Sequence, residues 1–286
     1  MTAKIAFIGL GLMGTGFTRR LSATGHTITG YDIAPDTLAA AGAWGVTPAA
    51  SVAAAAADAD IVMICVTTTK AMKAVVGELA AGSLAGKIVV DFSTCEIPAT
   101  EAAAKMVADK GGAFIDAPVS GGPGQAEAGT LAIMAGGDEA AIATARPTLE
   151  HLGKVTHMGP VTAGQATKLV NQALCLTNYA IVAEGLRIAQ AFGVDAAKIP
   201  DALAPGLGNS AVLQAIYPRM VEGDFAPRGY ARQVLKDFEM LMEATREKHI
   251  SLPMCFQATS LFRMLVADGK GELDGAAVVT LLPEPH

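Results

Sequence analysis

The sequence is poor in the features that most readily declare a chemistry. Its four cysteines, Cys65, Cys95, Cys175 and Cys255, stand far apart and form no C-x-x-C pair, so free thiols in a reducing cytoplasm are the expectation. Its five histidines show no metal-ligand spacing such as H-E-x-x-H. Positive charge is not in surplus: 21 Lys and Arg against 27 Asp and Glu leave a formal charge of −6. That balance offers no general attraction to nucleic acid or to an anionic membrane. No n-region, h-region and cleavage site open the chain, and residues 5–12 make too short and glycine-rich a run for a secretory signal. Repeats and low-complexity segments are missing as well, apart from alanine-rich runs. What remains is ample: 286 residues, 51% of them apolar, enough core for one large domain or two ordinary ones.

Charge is also missing where a helix should carry it. Residues 164–192 (GQATKLVNQALCLTNYAIVAEGLRIAQAF) contain no proline, and as a helix would run roughly 40 Å. Leu169, Ala173, Leu176, Ala180 and Ala183 mark one apolar face. Lys168, Asn171, Gln172, Cys175, Asn178 and Tyr179 form a second stripe, and no charged residue stands between Lys168 and Glu184. A helix with a solvated face normally carries charge on it, so this one is expected to be buried nearly all round. Its polar interruptions argue against a membrane span. Burying an ammonium costs several kcal/mol unless it is paired or loses its proton. Lys168 is therefore either a snorkelling residue near the helix start or a catalytic acid–base, with Asn171 and Gln172 as partners one turn on.

Earlier in the chain, residues 4–8 (KIAFI) form a buried-strand candidate that runs into Gly9-Leu10-Gly11-Leu12-Met13-Gly14, a G-x-G-x-x-G. A helical pattern follows. In a dinucleotide-binding turn Gly9 permits the tight bend, Gly11 lets the backbone approach a pyrophosphate, and Gly14 lets helix pack on strand, with the phosphates at the helix N-terminus. The next strand candidate ends in Asp32, about twenty residues on, where a carboxylate would accept hydrogen bonds from a ribose. No Arg or Lys follows between positions 33 and 43 to accommodate a 2′-phosphate, which implies NAD as the cofactor rather than NADP.

The alternation continues. An alanine-rich stretch up to Ala57 reads as helix; residues 60–66 (DIVMICV) and 87–92 (KIVVDF) are continuous apolar runs, as in parallel strands covered on both faces. Ligands bind beyond the carboxyl ends of such strands, which places Val66, Thr67 and Thr94 near a cofactor, although a Thr there serves equally well as an N-cap. Residues 113–119 (AFIDAPV) read as a further strand leading into Ser120-Gly121-Gly122, whose hydroxyl and amides suit a carboxylate. Two more strands, at 130–135 and 155–158, would complete the sheet. After Gly164 only helical patterns appear. The expected architecture is an α/β Rossmann doubly wound sheet domain, residues 1–162, followed by an all-α domain, residues 163–286, joined by a long interdomain helix. Within the second domain Arg228, Arg232 and Lys236 recur every fourth residue, as on one helix face, with Asp237 beside them.

FIGLGLMG, DAPVSGG at 116–122, GTLAIMAGG at 129–137, GQATKLVNQ at 164–172, LKDFEM at 235–240 and GKGELDG at 269–275 occur in this order. Together they resemble the β-hydroxyacid dehydrogenase family, which includes 3-hydroxyisobutyrate dehydrogenase and tartronate semialdehyde reductase, across nearly the whole chain. The resemblance implies roles for individual residues. Gly9 to Gly14 and Asp32 bind the dinucleotide, Thr94 lies on the nicotinamide side, and Ser120, Gly121 and Gly122 take the substrate carboxylate. Lys168 is the general acid–base, Asn171 and Gln172 face the substrate, and Lys236 contacts the cofactor. After the lysine, 3-hydroxyisobutyrate dehydrogenases usually show K-x-x-N-N; here Gln172 replaces the second Asn, which is more like the tartronate semialdehyde reductase branch.

The expected activity is NAD-dependent hydride transfer between a small 3-hydroxy acid and its semialdehyde, in a homodimer or homotetramer. In reduction Lys168 protonates the forming alkoxide. In oxidation it acts neutral, which requires its pKa to fall through burial and the cationic nicotinamide. Two alternatives stand beside it: an imine reductase of the same superfamily, which usually lacks the Lys and prefers NADP, and a non-catalytic NAD-binding protein.

Overall fold

The structure, a computed structural model, describes residues 3–285. The chain divides into two compact units, Met1–Lys168 and Leu169–His286.

The first unit is built on a nine-stranded sheet. Its strands are β1 (Ile5–Ile8), β2 (Ile28–Tyr31), β3 (Val46–Pro48), β4 (Ile61–Ile64), β5 (Ile88–Asp91), β6 (Ala113–Asp116), β7 (Val119–Ser120), β8 (Leu131–Gly137) and β9 (Gly153–Gly159). The order is β3-β2-β1-β4-β5-β6-β8-β7, with β9 also paired to β8. β1 to β6 run parallel, β8 is antiparallel to β6, and β9 is parallel to β8. The strands expected from apolar runs are present because Ile, Val, Met and Phe fill both faces: β1 and β4 are buried at every position. One face packs the aromatic trio Phe7, Phe17 and Phe92, with Phe17 and Phe92 centroids 4.6 Å apart. That trio ties the helix Leu12–Ala23 to β1 and to the chain leaving β5.

Three local expectations are corrected. The run 113–119 is not one strand. It breaks after Asp116, where Pro118 has no N–H to give the sheet; β7 then continues along β8, antiparallel to it and in the same register as β6. The alanine-rich stretch before Ala57 holds two helices, Pro35–Ala41 and Val52–Ala56, with β3 between them. Arg228 does not share a helix with Arg232 and Lys236: the helix Ala231–Glu247 starts after it, and Arg228 pairs with Asp224 at 3.2 Å.

The long helix is Ala163–Ala191. Its expected apolar face is buried: Leu176, Ala180 and Ala183 pack with Tyr217, Phe238 and Phe262 in the core of the second unit. The expectation of burial all round fails. Val170, Leu174, Ile181 and Ile188 are 61%, 71%, 49% and 60% exposed, so the uncharged side of this helix is an apolar stripe on the surface. The rest of the second unit is helical, comprising Ile199–Leu203, Ala211–Glu222, Ala231–Glu247, Pro253–Leu265 and the short turns Val266–Lys270 and Gly275–Leu281. A buried ion pair braces it: Arg219 meets Asp274 at 3.0 Å, and Asp274 also accepts the N–H groups of Arg228 and Gly229.

Candidate functional site

Sheet register sets the site of the first unit. Ile8, Ile64, Asp91 and Asp116 end their strands side by side, as does Tyr31 beside Ile8. The residues that follow each of them therefore emerge along one edge. Gly9 to Gly14, Asp32, Val66, Thr67 and Thr94 all emerge there, as do the residues leading to Ser120. This is the carboxyl edge where doubly wound sheets bind ligands.

Gly9 has φ 93°, and a Cβ on it would stand 2.2 Å from the Cys65 carbonyl oxygen. A Cβ on Gly14 would stand 2.0 Å from the Gly9 carbonyl oxygen, whereas one on Gly11 would meet nothing within 4 Å. Two of the glycines thus let helix, turn and neighbouring strand close on each other, and the third faces open space. Gly11 caps the helix Leu12–Ala23, no side chain caps it, and no acidic residue sits in its first turn. The N–H groups of Leu12, Met13 and Gly14 lie in that first turn, where a helix provides no acceptor of its own and the dipole favours an anion. These residues fit a pyrophosphate. Asp32 accepts the Leu10 N–H at 2.7 Å with one oxygen and the Ala34 N–H at 2.8 Å with the other, so its carboxylate is fixed at the rim of the turn. Val66 packs against Gly9. Thr67 is exposed and Thr94 half-buried. The N-cap of the helix Thr69–Leu79 is Thr68, not Thr67.

At the other end of the edge, Ser120 closes β7, and Gly121 and Gly122 follow with φ 141° and 82°, a backbone that side-chain-bearing residues rarely adopt. Lys168 is 8% exposed. Its Nζ donates to the Val119 carbonyl at 2.7 Å, which brings the amine to the residue next to Ser120. Two residues that the sequence reading did not single out organise this junction. Asp116 accepts the N–H groups of Thr162 and Gln165, each at 2.8 Å. The Gln165 side chain donates to the Ser93 carbonyl at 2.8 Å and accepts from the Cys95 N–H at 3.1 Å, bracketing Thr94.

Two carboxylates therefore lie side by side in register, both fully buried: Asp91 and Asp116. Burial pushes Asp91 up to about 7, against the bonds from Ser93 and the Cys95 side chain that favour its charge. Burial also pushes Asp116 up to about 6, against the backbone N–H groups that favour its charge. A carboxyl raised in the folded state stabilises most when protonated. The Asp91 contribution is complete below its ordinary 3.8 and is lost as pH rises through about 7. Asp91→Asn keeps an oxygen for the Ser93 N–H but cannot ionise. Its melting temperature is expected to exceed the parent's above about pH 7 and to converge with it near pH 4, by thermal unfolding across pH. Equal offsets at both ends would show that the Asp91 charge is not what costs stability.

In the second unit a hydrogen-bonded chain joins the remaining residues. Asn171 donates to the Gln172 side-chain oxygen at 2.7 Å, Gln172 donates to Asp237, and Asp237 pairs with Lys236 at 3.0 Å. Gln172 is 5% exposed. Asn171 and Lys236 are half-buried.

Known proteins resemble this chain over nearly its whole length. Residues 4–159 match the family model described as the NAD binding domain of 6-phosphogluconate dehydrogenase. Residues 162–282 match that described as NAD-binding of NADP-dependent 3-hydroxyisobutyrate dehydrogenase. The chain is 35% identical to 2-hydroxy-3-oxopropionate reductase of Escherichia coli, over 98% of this chain and 97% of that one. It is 34% identical to 2-(hydroxymethyl)glutarate dehydrogenase of Eubacterium barkeri, over 96% and 93%. Among solved structures, 3-hydroxyisobutyrate dehydrogenase of Mycobacterium tuberculosis with L-serine superimposes with a TM-score of 0.88 at 30% identity, covering 99% of both chains. Family models that match residues 4–159 and 162–282, and relatives alike over nearly their whole length, lead to one conclusion: this chain is an oxidoreductase of the β-hydroxyacid dehydrogenase family.

Proposed function

We propose that the protein interconverts a small 3-hydroxy acid and its semialdehyde, of the tartronate semialdehyde/glycerate or 3-hydroxyisobutyrate type, with Lys168 as general acid–base. The observation that carries this reading is the Lys168 amine, buried and bonded to the carbonyl next to Ser120. Gly9 to Gly14 and Asp32 would hold the dinucleotide, with Val66, Thr67 and Thr94 along it and Lys236 as a further contact. NADH bound there supplies the hydride. The substrate carboxylate rests on the Ser120 hydroxyl and the Gly121 and Gly122 amides. In reduction the Lys168 ammonium donates a proton to the carbonyl oxygen as charge develops on it, which is where a placed donor lowers a barrier most. Asn171, one turn along the helix, orients the same oxygen, and Gln172 shapes the pocket. Asp32 favours NAD over NADP, since a 2′-phosphate would meet a carboxylate already anchored at the turn.

The imine reductase alternative is not favoured. Among the described residues no helix is long and apolar enough to cross a membrane, and none of the four cysteines forms a disulfide. A homodimer or homotetramer belongs to the same reading. The exposed apolar residues Val170, Leu174, Ile181 and Ile188 on one side of the long helix support it.

The test is an NAD-linked absorbance screen over D-glycerate, 3-hydroxyisobutyrate, 3-hydroxypropionate, L-serine, 4-hydroxybutyrate, L-threonate and sulfonated analogues. Turnover of one or more carboxylates is expected, faster with NAD than with NADP. Turnover of none, by a protein that binds NADH, would sink the substrate class.

A further inference from the structure

The first turn of the long helix is joined to the end of the sheet by hydrogen bonds to a buried carboxylate. Asp116 closes β6 fully buried, and its two oxygens each take one N–H from the helix start, Thr162 and Gln165. The fit leaves no room for a side chain on either flank. A Cβ on Gly136 would stand 2.6 Å from one Asp116 oxygen; a Cβ on Gly164 would stand 2.8 Å from the other and 2.4 Å from the Met134 carbonyl. Thr162 holds φ 78° to enter the joint, a conformation that persists only where its surroundings enforce it. Gln165, 1% exposed, spends its side chain on the backbone either side of Thr94. Three residues on, Lys168 reaches the Val119 carbonyl.

We infer that Asp116 and Gln165 are positioning residues of the reaction: through one helical turn they fix the Lys168 amine against the Ser120 loop on one side and the Thr94 strand end on the other. The inference rests on Lys168 being the proton donor. The carboxylate must be the acceptor of both N–H groups for the joint to hold. Above about pH 6 Asp116 is ionised and can serve both at once. An Asn there offers one oxygen and would turn an amide NH₂ toward the second donor, and a Met at 165 fills the space of the Gln without its bonds. Either change loosens the turn, and a displacement of about 1 Å at a reacting group can cost about 10²-fold in rate.

The experiment is a double-mutant cycle. Asp116→Asn, Gln165→Met, Lys168→Ala and each pair with Lys168→Ala are assayed on the hydroxy acid of the screen that the parent oxidises fastest. NADH affinity is followed by fluorescence titration. Asp116→Asn and Gln165→Met are each expected to lower kcat by about 10–10²-fold, with the NADH dissociation constant of Asp116→Asn within about threefold of the parent's. In the Lys168→Ala background the same changes should cost less than about threefold, because groups that act through one residue are not additive. Equal losses in both backgrounds, parental kcat in both single variants, or failure of both to bind NADH would each reduce these residues to a role in folding alone. If Lys168→Ala itself keeps the parental rate, the proton-donor reading falls and takes the inference with it. If Lys168→Ala is impaired and the cycle is additive, only the inference falls.

Discussion

Lys168→Ala lowers turnover by about 10²–10⁴-fold while leaving NADH affinity nearly unchanged. The large loss is expected because removing the amine removes the only proton source the proposed reaction assigns to the substrate oxygen. The small effect on cofactor affinity is expected because the glycine turn and Asp32 are held by contacts of their own, from Gly9 to Cys65 and from Asp32 to Leu10 and Ala34. Ala is also the best helix former, so the long helix should persist, at the cost of leaving the Val119 carbonyl with one donor fewer. Steady-state kcat and a fluorescence titration with NADH decide it. A variant that turned over at the parental rate would show that the proton comes from elsewhere.

Gly14→Ala is the second large effect, and it should fall on the cofactor instead. The added methyl group would meet the Gly9 carbonyl oxygen at 2.0 Å, with the Phe7 ring at 3.3 Å. Backbone and a buried aromatic leave it no flexible neighbour to displace, so the helix must back away from the turn. That movement carries the first-turn N–H groups off the position where they meet a pyrophosphate. Overpacking of this kind costs about 3 kcal/mol, and if that cost is borne by the bound state the NADH dissociation constant rises by about 10²-fold. Gly11→Ala is the informative control. Its methyl group has nothing within 4 Å in the protein, so the fold should tolerate it and any loss of affinity must come from crowding the ligand itself. NADH binding by Gly14→Ala at parental strength would mean the helix and turn are not bound to the spacing seen here.

What the sequence disclosed was local. The glycine turn, Asp32 and the serine–glycine loop are each a few contiguous residues whose backbone needs are written in their side chains, so they could be placed without knowing the sheet. Parallel strands announced themselves as unbroken apolar runs. β3 and β7 did not, because strands of three and two residues carry no period. Asp116 and Gln165 were visible only as letters in longer motifs. Their roles consist of pairings 46 to 72 residues apart, and an Asp before Ala-Pro or a Gln after Gly says nothing of its distant partner. The long helix shows the opposite error. A stretch without charge suggests a stretch without water, yet Val170 and Leu174 lie exposed; absence of charge reports only that a surface is apolar.

The chain of bonds Asn171–Gln172–Asp237–Lys236 bears on any attempt to retune this enzyme. Exchanging residue 172 for the shorter Asn looks like a change of substrate preference alone. Yet Gln172 shares its carboxylate partner with Lys236, and a side chain one methylene shorter would let go of it. Under the proposed roles of Gln172 and Lys236, selectivity for the acid and grip on the dinucleotide would change together. Directed variation should therefore alter positions 172, 236 and 237 together.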